Sequence, residues 1–396
     1  MTRCFLLFLC LLVGQVVAQA PIVVVISMDG VRHDYPARDG LPAFARLLKE
    51  GAHASRLTPV YPSNTFPGHV SMATGTYPDV HGIIDNSFVD SKRGRYSMSG
   101  DASWLLAEPL WIASTRQGIT TATYFWVGSE TDWQGQKPRY RMAPFDGRRS
   151  ESEKVRQILE WLALPETSRP RLIMSYFAGT DHVAHRFGPD STNVQDQLIT
   201  QDAALGALLD GIDKLGLWPA LTLIMVSDHG MTPMGAYIDL RGTLDSAGIK
   251  AEVTGSTVAH VHLEDFAQLA AARAALTSLK NVEVRSGEES KTLRIAPTSR
   301  MGDLVVMTQP PFTFSSAAGV EGVAEDVLSF FGWDFGGHGY APEHPDMGAI
   351  FMAKGRGVAA GRSLDVVHQI DVAPTVAAFL KIEPPAQSEG RVIELQ

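Results

Sequence analysis

Cysteine is almost absent from the 396-residue chain, which contains only Cys4 and Cys10. Both lie in an apolar N-terminal stretch that is typical of a secretion signal, so we expect the mature protein to contain none. This excludes a disulfide framework and excludes thiolates as nucleophiles or metal ligands. Any metal site must therefore use His, Asp, Glu and hydroxyl groups.

An excess of basic residues is also absent. Asp and Glu number 43 against 34 Lys and Arg, which gives a formal net charge of -9 at pH 7. This charge argues against binding of a nucleic-acid duplex, which needs clustered basic side chains. It does not exclude a small phosphorylated substrate, because bound divalent metal ions supply positive charge that the count omits.

The N-terminal apolar run is shorter than the roughly 20 residues that a membrane-spanning helix needs. Phe5 to Val17 follows a basic start at Arg3 and precedes small residues at Ala18 and Ala20. This order predicts a signal peptide over residues 1–20, with cleavage after Ala18 or Ala20, and an uncleaved anchor is the alternative. We expect a periplasmic or secreted protein, if the source is bacterial, without stable membrane insertion after signal removal.

The rest of the chain alternates short apolar runs with helical patterns. Ile22–Ile26, Arg171–Phe177 and Leu221–Ser227 are typical of buried parallel strands, and Val194–Leu215 has the pattern of a helix. This alternation predicts an α/β catalytic domain over residues 21–396, with a largely parallel central sheet and helices on both faces.

The segment from about 255 to 314 has a different pattern. Val258–Leu263 and Leu304–Met307 favour strands, and Phe266–Leu279 favours a helix. We therefore predict a small α+β insertion on the main sheet. The chain then closes with Val366–Leu380, which we predict to be a helix.

Acidic residues follow all three predicted parallel strands, at Asp29, Asp181 and Asp228. Ligands of such sheets bind beyond the carboxyl ends of the strands, so these acids are expected to form one site. Asp181 and His185 are four residues apart, which places both on one face of a helical turn and suits two ligands of one ion. Asp228-His229 in a turn can bind a metal or simply be solvated.

The stretch Tyr61–His69 presents a hydroxyl between two prolines. Pro62 and Pro67 restrict the backbone on either side of Thr65. One interpretation is a rigid loop with a helix cap. The other is a nucleophile at a helix N-terminus, where backbone N–H groups stabilise an anion and a metal lowers the pKa of the hydroxyl. For His69 a structural role is favoured.

Taken together, the candidate ligands offer only oxygen and nitrogen. This chemistry suits two catalytic zinc sites with open positions and a shared hydroxyl, although manganese or iron also accepts such ligands. The set is Asp29, Thr65, Asp181, His185, Asp228, His229 and His338.

These motifs and their order resemble the nucleotide pyrophosphatase/phosphodiesterase family of the alkaline phosphatase superfamily. The resemblance covers nearly the whole mature chain, through Asp29-Gly30, Asn64-Thr65-Phe66-Pro67, His81-Gly82-Ile83-Ile84-Asp85-Asn86, Trp126-Val127-Gly128-Ser129, Ser227-Asp228-His229-Gly230-Met231 and His338-Gly339-Tyr340. It implies an alkaline-phosphatase-like fold. The chain departs from the family pattern at Ala184, where the family usually has Gly, and at Ala341, where it usually has an acidic residue.

The resemblance also implies roles for the candidate residues. The implied ligands are Asp181, His185 and His338 for one zinc ion, and Asp29, Asp228, His229 and Thr65 for the other. Thr65 would be the nucleophile and Asn86 a donor to a phosphate oxygen. Phe66 and Tyr176 match positions that clasp a nucleotide base, and the alternative is that both rings line an apolar wall.

The implied function is zinc-dependent hydrolysis of nucleotide phosphodiester or pyrophosphate bonds through a covalent phosphothreonine, by a monomer or weak oligomer. A neutral donor at Asn86 suits a singly charged diester, whereas arginine would favour a dianionic monoester. The alternatives are a phosphomonoesterase or a lipid or choline phosphodiesterase of the same superfamily. An inactive binding protein and an exported metal-storage or adhesion protein are alternatives of other classes.

Overall fold

A computed structural model describes residues 19–286, 289–295, 298–314 and 335–396. The predicted signal peptide lies outside these residues, apart from its last two positions. Within the described ranges, no helix has both the length and the apolar character needed to cross a membrane.

The described strands and helices are numbered in chain order. The strands are β1 (Ile22–Met28), β2 (Ala52–Thr58), β3 (Ser87–Asp90), β4 (Gly94–Ser97), β5 (Thr121–Tyr124), β6 (Tyr140–Met142), β7 (Leu172–Phe177), β8 (Leu221–Val226), β9 (Thr232–Met234), β10 (Ala236–Ile238), β11 (Ala251–Thr254), β12 (Val258–Leu263), β13 (Glu283–Ser286), β14 (Leu304–Met307), β15 (Phe312–Phe314), β16 (Phe335–Gly337), β17 (Phe351–Gly355) and β18 (Arg362–His368). The helices are α1 (Pro42–Glu50), α2 (Thr65–Thr74), α3 (Pro78–His81), α4 (Leu110–Arg116), α5 (Glu151–Leu162), α6 (Gly179–Phe187), α7 (Thr192–Leu215), α8 (Leu240–Ser246), α9 (Leu269–Thr277), α10 (Thr298–Met301) and α11 (Val372–Leu380).

An eight-stranded central sheet organises the fold, with strand order β18-β2-β17-β8-β1-β7-β5-β6. β17 runs antiparallel to both of its neighbours, and the other pairs are parallel. The predicted α/β fold with a largely parallel sheet is therefore confirmed. β1 lies at the centre between β7 and β8, so the three strands expected to carry acidic residues are adjacent.

Both faces of the central sheet are covered. In β1, Val23 and Val25 contribute to a core that includes residues of α2, α4 and α11. Val24 and Ile26 contribute to a second core, on the opposite face, with residues of α1, α5 and α7. Successive side chains of a strand point to opposite faces, so a continuous run of β-branched residues is what a strand buried on both sides requires.

A second, antiparallel sheet has the strand order β11-β12-β14-β13 and its own apolar core with α8 and α9. Its elements run from Leu240 to Met307, so α8 and β11 precede the expected start at about 255. Phe312–Phe314 instead pairs with Ala236–Ile238 in a separate two-stranded sheet. The division of the chain into domains stays a prediction.

The helix predicted over Val366–Leu380 is wrong in its first part. Residues Arg362–His368 form β18, which pairs in parallel with β2, and the helix begins only at Val372. Val366 and Val367 are β-branched and lie opposite Arg56 and Leu57, so sheet pairing overrides the apparent helical periodicity.

Candidate active site

The three acidic residues converge at the carboxyl ends of the central strands. Asp29 follows β1 directly, Asp228 follows β8 by two residues, and Asp181 lies in the first turn of α6 after β7. Gly30 permits the close approach, because it has a φ of +67° and a Cβ there would lie 2.9 Å from the Cα of Asp181. The structure thus brings together residues that are about 200 positions apart.

His185 and His338 point their Nε2 atoms at each other, 3.0 Å apart. Nδ1 of His185 lies 2.9 Å from the carbonyl oxygen of Gly336, and Nδ1 of His338 lies 3.1 Å from that of Ser63. A carbonyl oxygen only accepts, so each Nδ1 carries the proton and each neutral ring has a bare Nε2. Two bare lone pairs at this distance repel each other unless a cation lies between them.

His229 has the same arrangement. Its Nδ1 lies 2.8 Å from the carbonyl oxygen of Gly230. Its Nε2 lies 3.4 Å from Oδ1 of Asp29, 3.3 Å from Oδ2 of Asp228 and 3.3 Å from Oγ1 of Thr65. Histidine metal ligands usually donate a hydrogen bond from one ring nitrogen to a carbonyl or carboxylate oxygen, which leaves the other nitrogen free to bind the metal.

Three buried carboxylate oxygens have no hydrogen-bond partner among the described residues: Oδ1 of Asp29, Oδ1 of Asp181 and Oδ2 of Asp228. Leaving such atoms unpartnered is costly, whereas a coordinated cation would satisfy them. These residues therefore fit divalent metal ions.

Two groups of candidate ligands have their atoms within 4.8 Å of one another. One is Asp181, His185 and His338, and the other is Asp29, Asp181 and His229. Asp181 thus lies within reach of both groups, and Asp228 adjoins the second through His229. The resemblance assigns Asp181 to the first group only, and this assignment stays a prediction.

Burial and mutual repulsion dominate the electrostatics of the site. Burial, together with the carboxylates of Asp228 and Asp181, raises the pKa of Asp29 well above its usual value. Burial raises the pKa of Asp181, but the interaction with the adjacent imidazole of His185 outweighs burial and lowers this pKa. Burial and the neighbouring imidazoles hold the pKa of His338 well below its usual value. Three carboxylates so close together need positive charge to ionise together.

Thr65 is the first residue of α2, and its partly buried hydroxyl faces the metal-ligand cluster. Asn86 lies beside it, because the side-chain Oδ1 of Asn86 accepts a 2.9 Å hydrogen bond from the backbone N–H of Phe66. This leaves the Nδ2 of Asn86 as a donor for a ligand. A cavity of about 510 Å³ adjoins the site, and Asn86, His185 and His338 contribute to its lining.

Phe66 and Tyr176, the two candidate base-binding residues, contact different neighbours. Phe66 is half-buried and contacts Tyr96 edge to face, with ring centroids 6.1 Å apart. The hydroxyl of Tyr176 donates a 2.5 Å hydrogen bond to Oδ2 of Asp29, so this residue supports a candidate metal ligand. Phe145, which sequence reasoning missed, is 47% exposed and lies 5.9 Å from Tyr176 between ring centroids. No motif around Phe145 signals this position.

Three further residues hold the site from behind. The buried Lys154 donates to the carbonyl oxygen of Tyr176 at 2.8 Å, and Gln369 donates to that of Asp228 at 2.5 Å. His69 is fully buried and its Nδ1 lies 2.8 Å from the carbonyl oxygen of Thr65, in agreement with a structural role. Sequence reasoning missed Lys154 and Gln369, since each contact joins segments with no local signal.

Comparisons with known proteins point to one family. The family model described as type I phosphodiesterase/nucleotide pyrophosphatase matches residues 23–341. Ectonucleotide pyrophosphatase/phosphodiesterase family member 1 of Homo sapiens is 37% identical over 221 residues, which cover 54% of this chain and 24% of that protein. The venom phosphodiesterase CdcPDE of Crotalus durissus collilineatus is 29% identical over 402 residues, covering 94% of this chain and 45% of that protein.

Solved structures show the same fold. Human ectonucleotide pyrophosphatase/phosphodiesterase 5 superposes with a TM-score of 0.82 at 26% identity, covering 92% of this chain and 96% of that one. An inactive variant of the murine protein, in complex with AMP, superposes with a TM-score of 0.83 at 24% identity and the same coverage. The chain spans less than half the length of the two curated relatives described above. By the extent of the family match, the chain belongs to the type I phosphodiesterase/nucleotide pyrophosphatase family.

Proposed function

We propose that this protein is an exported zinc-dependent phosphodiesterase that hydrolyses phosphodiester or pyrophosphate bonds of nucleotides, with Thr65 as the nucleophile. One observation carries the proposal. Thr65 is the first residue of α2, and its hydroxyl faces the Nε2 of His229 at 3.3 Å. Beside it are carboxylate oxygens that have no hydrogen-bond partner among the described residues. Family membership supports the reaction class, and the N-terminal signal pattern supports export.

Two zinc ions fit the ligand chemistry. Asp181, His185 and His338 would hold one ion, and Asp29, Asp228, His229 and Thr65 would hold the other, with Asp181 close to both. Bound zinc supplies Lewis-acid charge that lowers the pKa of a coordinated hydroxyl and stabilises negative charge on phosphate and leaving-group oxygens.

Thr65 performs the bond changes in two steps. Its Oγ1 loses its proton to solvent and attacks phosphorus, and the bond from phosphorus to the leaving oxygen breaks. This gives a phosphothreonine ester and the first product, whose leaving oxygen takes a proton from solvent where its pKa requires one. The oxygen of a water molecule then attacks the same phosphorus, the bond to Thr65 breaks, and a proton returns to Oγ1. The N-terminus of α2 favours the negative charge that accumulates around Oγ1 in both steps.

Asn86 orients the phosphate. Because its Oδ1 is held by the N–H of Phe66, its Nδ2 donates to a non-bridging phosphate oxygen. This donor is neutral, so it matches the single charge of a diester better than the double charge of a monoester.

The half-buried Phe66 and the exposed Phe145 offer ring surfaces for the nucleoside, and stacking of bases on aromatic side chains is sequence-tolerant. Tyr176 contributes less of this surface than its sequence position implies, because its hydroxyl is bonded to Asp29. We assign base stacking to Phe66 and Phe145, and Tyr176 contacts the ring of Phe145.

The test compares wild type with Thr65→Ala, after zinc loading, on thymidine 5′-monophosphate p-nitrophenyl ester, bis-p-nitrophenyl phosphate and p-nitrophenyl phosphate. We expect preference for the nucleotide ester and a loss of about 10³-fold or more in kcat for Thr65→Ala. Thr200→Ala is the control, because among the described residues the hydroxyl of this exposed threonine forms a hydrogen bond only within its own helix. Preference for the monoester would refute the substrate class, and unchanged activity of Thr65→Ala would refute the mechanism.

A further inference from the structure

A buried acid and a buried imidazole meet where the second sheet contacts the catalytic loops. Asp85 lies next to Asn86, and His260 lies in β12, and both side chains are almost completely buried. Oδ2 of Asp85 and Nε2 of His260 are 3.7 Å apart, and neither has a hydrogen-bond partner among the described residues. Gly255, with a φ of +93°, allows β11 to approach, because a Cβ there would lie 3.1 Å from this Oδ2.

The other ring nitrogen fixes what His260 can do. Its Nδ1 lies 3.1 Å from the carbonyl oxygen of Met301, so Nδ1 carries a proton and the Nε2 of the neutral ring is an acceptor. An ionised Asp85 would then place two buried acceptors against each other. One proton between the two atoms removes this conflict.

The other oxygen of Asp85 holds the catalytic loops. Oδ1 accepts a 2.7 Å hydrogen bond from Nδ2 of Asn64 and a 2.6 Å bond from the backbone N–H of Asn86. Asn64 immediately precedes Thr65, and Asn86 is the residue proposed to donate a hydrogen bond to the substrate phosphate. One carboxyl group therefore holds both the residue before the proposed nucleophile and the residue proposed to bind the phosphate.

We propose that Asp85 is protonated with its proton directed towards Nε2 of His260, 3.7 Å away, and that this pair is a positioning device through which the second sheet holds Asn64 and Asn86 in place. The role in catalysis rests on the proposed function, whereas the protonation of the pair does not.

The titration behaviour agrees with a neutral pair. Burial raises the pKa of Asp85 to about 7, and burial lowers the pKa of His260 to about 4. Between these values the folded pair holds one proton, on the acid. The unfolded chain also holds one proton near pH 5, on the histidine, because ordinary aspartate and histidine pKa values are about 4 and 6.5. Folding then changes the proton count of the pair very little.

Because the folded and unfolded chains bind nearly the same number of protons at this pair, removing either member makes stability depend on pH. The direction is opposite for the two variants. In Asp85→Asn only the histidine remains, and unfolding takes up a proton below about pH 6.5, so stability relative to wild type rises from pH 5 to 6.5. In His260→Phe only the acid remains, and unfolding releases its proton between about pH 4 and 7, so relative stability falls. The nearby titratable groups are Tyr61, whose pKa burial raises, and His262 of the same strand.

The first experiment measures Tm of the zinc-loaded protein at pH 5 and pH 7 for wild type and both variants. We expect shifts relative to wild type of opposite sign and at least about 1 °C between these pH values. Shifts of the same sign, or signs reversed as for a charged Asp–His pair, would overturn the neutral pair. This outcome is independent of any enzymatic activity.

The second experiment measures kcat on the nucleotide ester. His260→Phe is expected to lose about tenfold or more, since small displacements of positioned groups are costly. Asp85→Asn should recover to within about threefold of wild type, because its amide oxygen accepts both N–H bonds and its NH2 group donates to His260. His262→Phe, which lies two residues along the same strand, is the control. Equal kcat for His260→Phe and wild type, at equal zinc content, would contradict the positioning role.

Discussion

Histidines at the carboxyl ends of the central strands, here called the edge of the central sheet, and a histidine in the second sheet have the same hydrogen bonding at Nδ1. Their Nε2 atoms face different neighbours. In His185, His229, His338 and His260, Nδ1 contacts a backbone carbonyl oxygen and Nε2 is left as an acceptor. At the edge of the central sheet, three imidazoles face three carboxylates. In the second sheet, one imidazole faces one carboxyl group. A single proton resolves the second case, whereas the first needs cations, so the number of converging acids separates a metal site from a neutral pair.

Removing one histidine from each region tests this difference most strongly. His338→Ala should lower the zinc content from two ions to about one per chain and reduce kcat by about 10²-fold or more, since a metal ion contributes several kcal/mol to the transition state. His260→Phe should retain the full zinc content. Metal analysis by mass spectrometry after gel filtration measures the zinc content of both variants. Loss of zinc from His260→Phe would contradict the distinction between a metal site and a neutral pair.

Asn86→Ala separates phosphate binding from metal binding. We expect kcat on diesters to fall about 10²-fold, as for other donors to developing charge, with unchanged zinc content. The loss on the monoester should be smaller, since its second charge relies more on the metal ions. Steady-state kinetics on both substrates provide the comparison, and high diester activity in this variant would exclude the assigned role.

Tyr176→Phe tests how the edge of the central sheet supports its ligands. The change retains the ring and removes only the hydroxyl that donates to Asp29. Zinc affinity, measured by competition with a chelator, should fall about tenfold to 100-fold, as is usual when the partner of a metal ligand is lost. KM for the nucleotide ester, measured at saturating zinc, should change little. Unchanged zinc affinity in this variant would contradict the supporting role of the Tyr176 hydroxyl.

Phe145→Ala should have the smallest effect. This exposed ring contacts the rings of Tyr176 and Phe125, and among the described residues it has no ring contact with a candidate metal ligand. We expect KM for the nucleotide ester to rise about tenfold, within the range for loss of one stacking ring, and KM for bis-p-nitrophenyl phosphate to change less. Equal changes for both substrates would argue against base stacking at this position.

The central sheet was predictable because its signals are local. Continuous β-branched runs such as Ile22–Ile26 mark strands buried on both faces, and the acids directly after them mark the ligand-binding edge. The spacing of Asp181 and His185 likewise predicted their common helical face, which the structure has in α6. These inferences needed no knowledge of contacts between distant segments.

What the sequence did not reveal depends on such contacts. The apposition of Asp85 and His260 joins a residue of the segment between α3 and β3 to a residue of β12, far away in the chain. The position of Asp181 between both ligand groups depends on how closely α6 approaches Gly30. Val366 and the two residues after it were assigned to a helix because periodicity alone does not show the neighbouring strand that pairs with them.

The stereochemical course at phosphorus tests the central claim most directly. A nucleotide ester with a chiral phosphorothioate centre would be hydrolysed in isotopically labelled water, and the configuration of the product would be determined. Each in-line displacement inverts phosphorus, so attack by Thr65 followed by attack of water predicts overall retention. Overall inversion would show that water attacks the substrate directly, and would contradict the assignment of Thr65 as the nucleophile.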